Sequence, residues 1–171
     1  MLRAQSRFAE AIPEYETVLA FNRNYVFAIF ALAQCKLLTG SIAGTIPLVE
    51  RAIRLSPRDP TIGLYYQLIG FVHLLQSRIG EAIIWLEKAR NAIPAHPATR
   101  AQLAAAYALN CETELAAIEL TEARRLSGDD RYTSLERLRA FWGAVGMAPK
   151  VRTLYEATYF AGLRKAGMPE E

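Results

Sequence analysis

The side chains whose types and spacing could do chemistry are few: His73, His96, Cys35, Cys111 and the glutamates at 112, 114, 119 and 122. A zinc site would need them a few residues apart in pairs, and no such spacing occurs, so no metal is expected. His73 lies between Phe71, Leu74 and Leu75 in an apolar stretch and reads as a packed, hydrogen-bonded histidine. His96 stands before Pro97 at a turn, where capping a helix explains it. The four glutamates alternate around a helix and read as solvated carboxylates. No glycine-rich phosphate loop or nucleophile elbow is present, so no cofactor is expected and the chain reads as no enzyme. The densest basic run, Arg124, Arg125, Arg131, Arg137 and Arg139, is interrupted by Glu122, Asp129, Asp130 and Glu136. With a net charge of only +3, this is a self-compensated surface, and no nucleic acid is expected as a partner. Cys35 and Cys111 are far apart and predict reduced thiols and a cytoplasmic setting; the apolar runs 25–33 and 62–75 are too short to span a bilayer, so no membrane is expected.

What would position any working surface is a repeated helix. The segment 80–94 carries Ala82, Ile83, Leu86, Ala89 and Ile93 at three- and four-residue steps, with acids early, bases late and Pro94 as terminator. Ala82, Leu86, Ala89 and Pro94 return 34 residues on as Ala116, Leu120, Ala123 and Gly128. They are anticipated 37 residues back by Thr45, Val49, Ala52 and Pro57, and 34 further back by Ala11, Tyr15, Val18 and Arg23. A second set of columns has the same phase: Leu32, Ile69 and Leu103, then Ala33, Gly70 and Ala104, then Lys36, His73 and Tyr107. Both sets share a three-residue insertion near Pro60, Thr61 and Ile62, which predicts a longer helix over 60–77. Small, bulky and helix-breaking columns at a period of 34 define a helical repeat array.

These columns resemble the tetratricopeptide repeat over about residues 1–130, with Lys36, Thr45 and Arg23 as departures. The expected fold is all-α: an α-solenoid of antiparallel helix pairs, about three and a half repeats plus C-terminal capping helices. A partial repeat occupies 1–24, repeats occupy 25–59, 60–96 and 97–130, and the caps occupy 131–171. Residues 1–8 read as the tail of a helix and a turn, so the chain enters in mid-repeat. That predicts either a piece of a longer protein or a degenerate N-terminal cap. Pro13 and Pro47 share one phase, and their helices should start late or bend. Ser41 and Asp59 are expected as N-caps, and Thr133-Ser-Leu-Glu136 as a capping box. A last helix over 149–165 is expected to cover the open face of the final repeat.

In tetratricopeptide arrays the first helix of each pair lines a concave groove. Carrying those columns over gives Phe27, Phe30 and Gln34, then Leu64, Gln67, Phe71 and Leu74, then Ala98, Ala101, Ala105 and Ala108 as the expected partner-binding groove. None is lysine, arginine or asparagine, which argues against a clamp for C-terminal carboxylates. Such an apolar patch needs a cover. The chain's own tail, a second copy in a homodimer, or an amphipathic helix from a partner or an upstream domain would each serve; tight curvature that makes these residues ordinary core is the remaining option. Stretches 52–60, 72–78, 85–90, 122–128 and 154–169 resemble, as a set, the C-terminal repeat region of bacterial class III adenylate/guanylate cyclase-like proteins. That resemblance implies a regulatory or scaffolding module attached to a signalling domain, with a free-standing adaptor or a nucleic-acid-binding regulator as alternatives. No cyclase metal- or nucleotide-binding residue has a counterpart here.

Overall fold

The computed structural model describes residues 6–171, so the expected helix tail before residue 6 lies outside them. Helices α1 (Phe8–Phe21), α2 (Val26–Leu38), α3 (Thr45–Leu55), α4 (Ile62–Leu75), α5 (Ile79–Ala92), α6 (Pro97–Leu109), α7 (Thr113–Leu126) and α8 (Leu135–Ala144) follow one another, and no strand occurs among the described residues. A last helix, α9, spans 149–165, with the wider turns of a π-helix over Tyr155–Phe160. Consecutive helices pair as α2/α3, α4/α5 and α6/α7, and the pairs stack side by side.

The repeat columns are the contact surfaces. Thr45, Val49 and Ala52, then Ala82, Leu86 and Ala89, then Ala116, Leu120 and Ala123 are all buried. Opposite the bulky member of each trio stands the small member of the other column. A Cβ placed on Gly70 would lie 2.7 Å from Leu86 Cγ, closer than packed atoms tolerate, so glycine sets how near α4 and α5 can run.

The turn inside each pair is equally repetitive. Gly40, Ser77 and Cys111 have φ of 92°, 58° and 64°, the left-handed conformation that ends a helix. The next residue's N–H donates back to the Lys36, His73 or Tyr107 carbonyl, at 2.8, 2.9 and 2.9 Å. The third small-step column is thus defined by its backbone carbonyl, which explains why a lysine is tolerated there. Ser6, with φ 59°, stands at the same phase before α1.

Several local expectations shift. The insertion lengthens α4 by only one residue over α2 and α6; the other two fall in the loop 56–61, where the equivalent loops have four residues. Asp59 does not cap α4: its Oδ1 accepts from the Thr61 N–H at 2.8 Å in the loop ahead of the helix. Ser41 precedes a short 3-10 turn (Ile42–Gly44) without a side-chain cap. Pro47 sits in the first turn of α3, where the missing N–H costs nothing, but Pro13 lies well inside α1, which starts no later. Ser134, not Thr133, caps α8 by accepting from Arg137 N–H at 3.3 Å.

The tail departs most. Instead of stacking on α7 as a cap, α9 turns back along the inner face and packs on α6 and α4. The 144–149 connection is pinned where Ala148 N–H donates to the Leu38 carbonyl at the end of α2, 2.9 Å away. The chain end then pairs with the start of α8, Leu135 N–H donating to the Pro169 carbonyl at 2.9 Å and Glu136 N–H to that of Glu170 at 3.0 Å. Arg139 joins α8 to α9 through Glu156 at 2.9 Å and also holds Glu170. The approach of α9 to α6 is set by Gly162, whose added Cβ would meet the Ala105 carbonyl oxygen at 2.5 Å. Because that neighbour is backbone, Gly162→Ala must push α9 outward. Its expected cost is about 1–3 kcal/mol, read as a lower midpoint in thermal denaturation; an unchanged midpoint would contradict this packing.

Candidate interaction groove

The inner face of the array is built from α2, α4 and α6, and the structure divides the expected groove residues into two sets. Phe71, Leu74, Ala101, Ala105 and Ala108 are buried, with Phe71 lying edge-on to Tyr155 and Tyr159 of α9 at ring separations of 5.1 and 5.4 Å. Phe27, Phe30, Gln34, Leu64, Gln67 and Ala98 remain exposed or half-buried. Phe30 stacks obliquely on Tyr65 at 4.6 Å, and Phe27 is 54% exposed beside Tyr25. The chain's own tail therefore covers the α4–α6 part of the groove and leaves the α2 side open.

The π-helical stretch explains how α9 fits. It presents Tyr155 and Tyr159, both buried, to Phe71, and Tyr155 also to Trp142, while buried Phe160 packs against the two tyrosines. Thr158 Oγ1 donates to the Leu154 carbonyl at 2.7 Å, taking up an acceptor in the widened turn. Burial pushes the Tyr155 and Tyr159 hydroxyls well above their usual range, so both stay neutral. The alanine-rich sequence of α6 has a plain reason in this contact: its inner face meets a helix backbone, and larger side chains would hold α9 away.

Where α9 ends its coverage a cavity of about 320 Å³ remains. Leu37, Leu68, Phe71 and Trp142 supply apolar walls, and Gln34, Gln67 and Gln102 the polar ones. Gln67 Nε2 donates to Gln102 Oε1 at 2.6 Å, linking α4 to α6 across the floor. Gln102 and Leu68 share the column one residue beyond Gln67 and Ala101, so the repeat phase could have found them. Trp142 and Tyr155 belong to the tail, and no periodicity announces them.

The side chains first considered for chemistry are placed as follows. Cys35 is buried, Cys111 is exposed, and no group of acidic, histidine or cysteine side chains among the described residues could hold a metal. His73 is packed, but its Nδ1 is buried without a hydrogen-bond partner, contrary to expectation. Glu119 is not solvated: it is 4% exposed and sits between Arg90 at 2.7 Å and Arg100 at 2.9 Å, stitching α5, α6 and α7 together. Among the described residues no helix is long and apolar enough to cross a membrane.

No family model matches the chain, and no curated protein does. Solved structures do. MamA aligns over 97% of this chain and 94% of its own, at 17% identity and a TM-score of 0.65. MamA from residue 41 to its end, from Desulfovibrio magneticus RS-1, aligns over 94% and 86% at 16% identity and 0.64. TTC0263, a thermophilic TPR protein in Thermus thermophilus, aligns over 95% and 94% at 22% identity and 0.65. At such identities the likeness defines the fold, and that fold is a tetratricopeptide-like α-solenoid with its C-terminal helices folded onto it.

Two outcomes follow from this geometry. Phe71→Ala removes the contact of α4 with both tyrosines and should cost about 3–5 kcal/mol in chemical denaturation. Phe27→Ala, at an exposed site, should fall within about 0.5 kcal/mol of the parent. The second concerns His96, whose Nδ1 accepts from Thr99 N–H and caps α6. Burial lowers the basicity of His96, and burial followed by Arg78 lowers that of His73. The unfolded chain therefore takes up protons first. Stability is complete above the ordinary histidine value of about 6.5 and declines as pH falls through and below it. His96→Asn keeps a capping acceptor that does not titrate, so its thermal midpoint should drop less between about pH 7.5 and 5.5 than the parent's does.

Proposed function

We propose that this chain is a non-catalytic protein-interaction module that holds an apolar segment of another protein in the open, α2-side part of its groove. The observation that supports it is the cavity beside α9, where apolar walls meet three glutamine side chains. An apolar anchor from an amphipathic helix or peptide would enter the cavity, and glutamines, which both donate and accept, suit the neutral amides of a backbone. The absence of lysine, arginine and asparagine at the groove columns makes a carboxylate-terminated peptide a poor fit.

The resemblance of the repeat and tail segments to class III cyclase-like proteins supports a finer reading. In it the module scaffolds or regulates a cytoplasmic signalling domain, and the bound helix comes from that upstream domain. Self-association through the same surface, giving a homodimer, is the competing use of the open groove residues.

Phe71 cannot test this, since its loss would unseat α9. Phe27 and Leu64 can, because neither is fully buried. Phe27→Glu with Leu64→Glu should weaken association, with an upstream cyclase-type domain or with itself, by at least about tenfold, while the helical circular dichroism is unchanged. Light scattering over a concentration series separates self-association from partner binding. Undiminished association of the double variant would remove the groove from the proposal.

A further inference from the structure

The edge of the array at which α1 and α3 end carries an inference separate from the groove. Phe21, the last residue of α1, and Leu55, the last residue of α3, occupy one column of successive repeats, 34 residues apart. They are 90% and 40% exposed. Arg51 Nη2, from α3, donates to the Arg23 carbonyl, so the connection from α1 into α2 lies against the end of α3. Tyr25, 47% exposed, and the loop 56–61, with Pro57, Arg58 and Pro60 exposed, complete the edge. That loop holds two of the three inserted residues, and the groove makes no use of them.

The charge of this edge is unanswered. Among the described residues Arg23, Arg51, Arg54 and Arg58 enter no ion pair. The acids nearest in sequence are engaged elsewhere. Asp59 accepts from Thr61 N–H at 2.8 Å and from the Tyr65 hydroxyl at 3.1 Å, and Glu50 lies within Coulombic reach of His73. Four arginines against Asp59 leave +3, which is the net charge of the whole chain. Other exposed arginines, such as Arg125 and Arg137, have an acid beside them.

Exposed ring and alkyl groups set among free guanidiniums match an anionic lipid surface. Phenylalanine and leucine side chains enter the acyl boundary, tyrosine suits the headgroup level, and arginine binds phosphate. A single-stranded nucleic acid would answer the charge but not Leu55 and the prolines, which offer bases no stacking face. Tyr25 and Phe27 moreover lean on one another, with ring centres 6.1 Å apart and planes at 42°. We propose that this edge adsorbs the protein reversibly to membrane surfaces rich in anionic phospholipid. Phe21 and Leu55 are the apolar anchors, and Arg23, Arg54 and Arg58 hold the phosphates. The mode is adsorption and needs no spanning helix.

Flotation of the whole protein with vesicles tests this. At about 0.15 M salt, the protein should float with phosphatidylcholine vesicles that contain about one-third phosphatidylserine. It should stay behind with phosphatidylcholine alone. The variant Arg23→Gln, Arg54→Gln, Arg58→Gln should lower the partition coefficient about tenfold or more. Phe21→Ser with Leu55→Ser should lower it about fivefold or more. All five side chains are exposed, so the helical circular dichroism should not change. Phe21→Trp should shift the emission to shorter wavelength, relative to the parent, when anionic vesicles are added; charge attraction alone would not do so. Absence of flotation, equal flotation with both vesicles, indifference to the arginine variant, or no shift from the tryptophan at residue 21 would each overturn the proposal. Tighter binding of oligothymidylate or polyglutamate, lost in the arginine variant, would overturn it too, the partner then being a nucleic acid or an acidic protein.

Discussion

Helices in this protein run as near to one another as backbone allows, and the small residues that permit it recur through the chain. Gly162 against the Ala105 carbonyl, Gly63 against Ile93 and Gly70 against Leu86 are the tightest approaches, each with no room for a methyl group. Close approach brings dispersion contacts to many atoms at once and removes nearly all water from the seam. It also fixes the relative position of successive pairs. A solenoid has no single central core, so its shape is inherited from neighbour to neighbour through such contacts.

The same constraint shapes the inner face. Alanines along α6 leave a shallow floor, and α9 settles into it with Gly162 at the nearest point. That floor is then unavailable to anything else, and the aromatic set Phe71, Trp142, Tyr155 and Tyr159 locks the arrangement edge to face. What stays open is the remainder: a rim of Phe27, Phe30 and Leu64 and a cavity lined by Gln34, Gln67 and Gln102 together with Trp142 and Tyr155. The inner face is therefore partly filled by the chain's own C-terminal helix, and the outline of what stays open is set by that helix.

Charge plays a subordinate, positional part. Glu119, held between Arg90 and Arg100, ties three helices at one buried point, whereas the arginines near residues 124–139 are mostly exposed and answered by local acids. A buried pair of this kind is weak evidence for stability, because desolvation of the charges offsets their attraction.

The amino-acid order by itself determined the repeat: its period, its insertion, the small-and-bulky alternation and the paired helices all follow from residues 3.6 to a turn meeting neighbours at a constant spacing. It placed the helix ends to within a few residues, but of the groove columns it expected to be open, Phe71, Leu74, Ala101, Ala105 and Ala108 are buried. It could not say whether α9 would stack beyond α7 or turn inward, because the apolar surface of Tyr155, Tyr159 and Leu163 suits either place. Nor could it tell Glu119 from its solvated neighbours, or foresee that Asp59 and the extra residues would be taken up by a loop. Those outcomes depend on which distant surfaces meet: Gly162 can approach Ala105 only once the pairs have stacked and curved. Local spacing is written along the chain, but the filling of the groove is decided by shape complementarity that exists only in the assembled array.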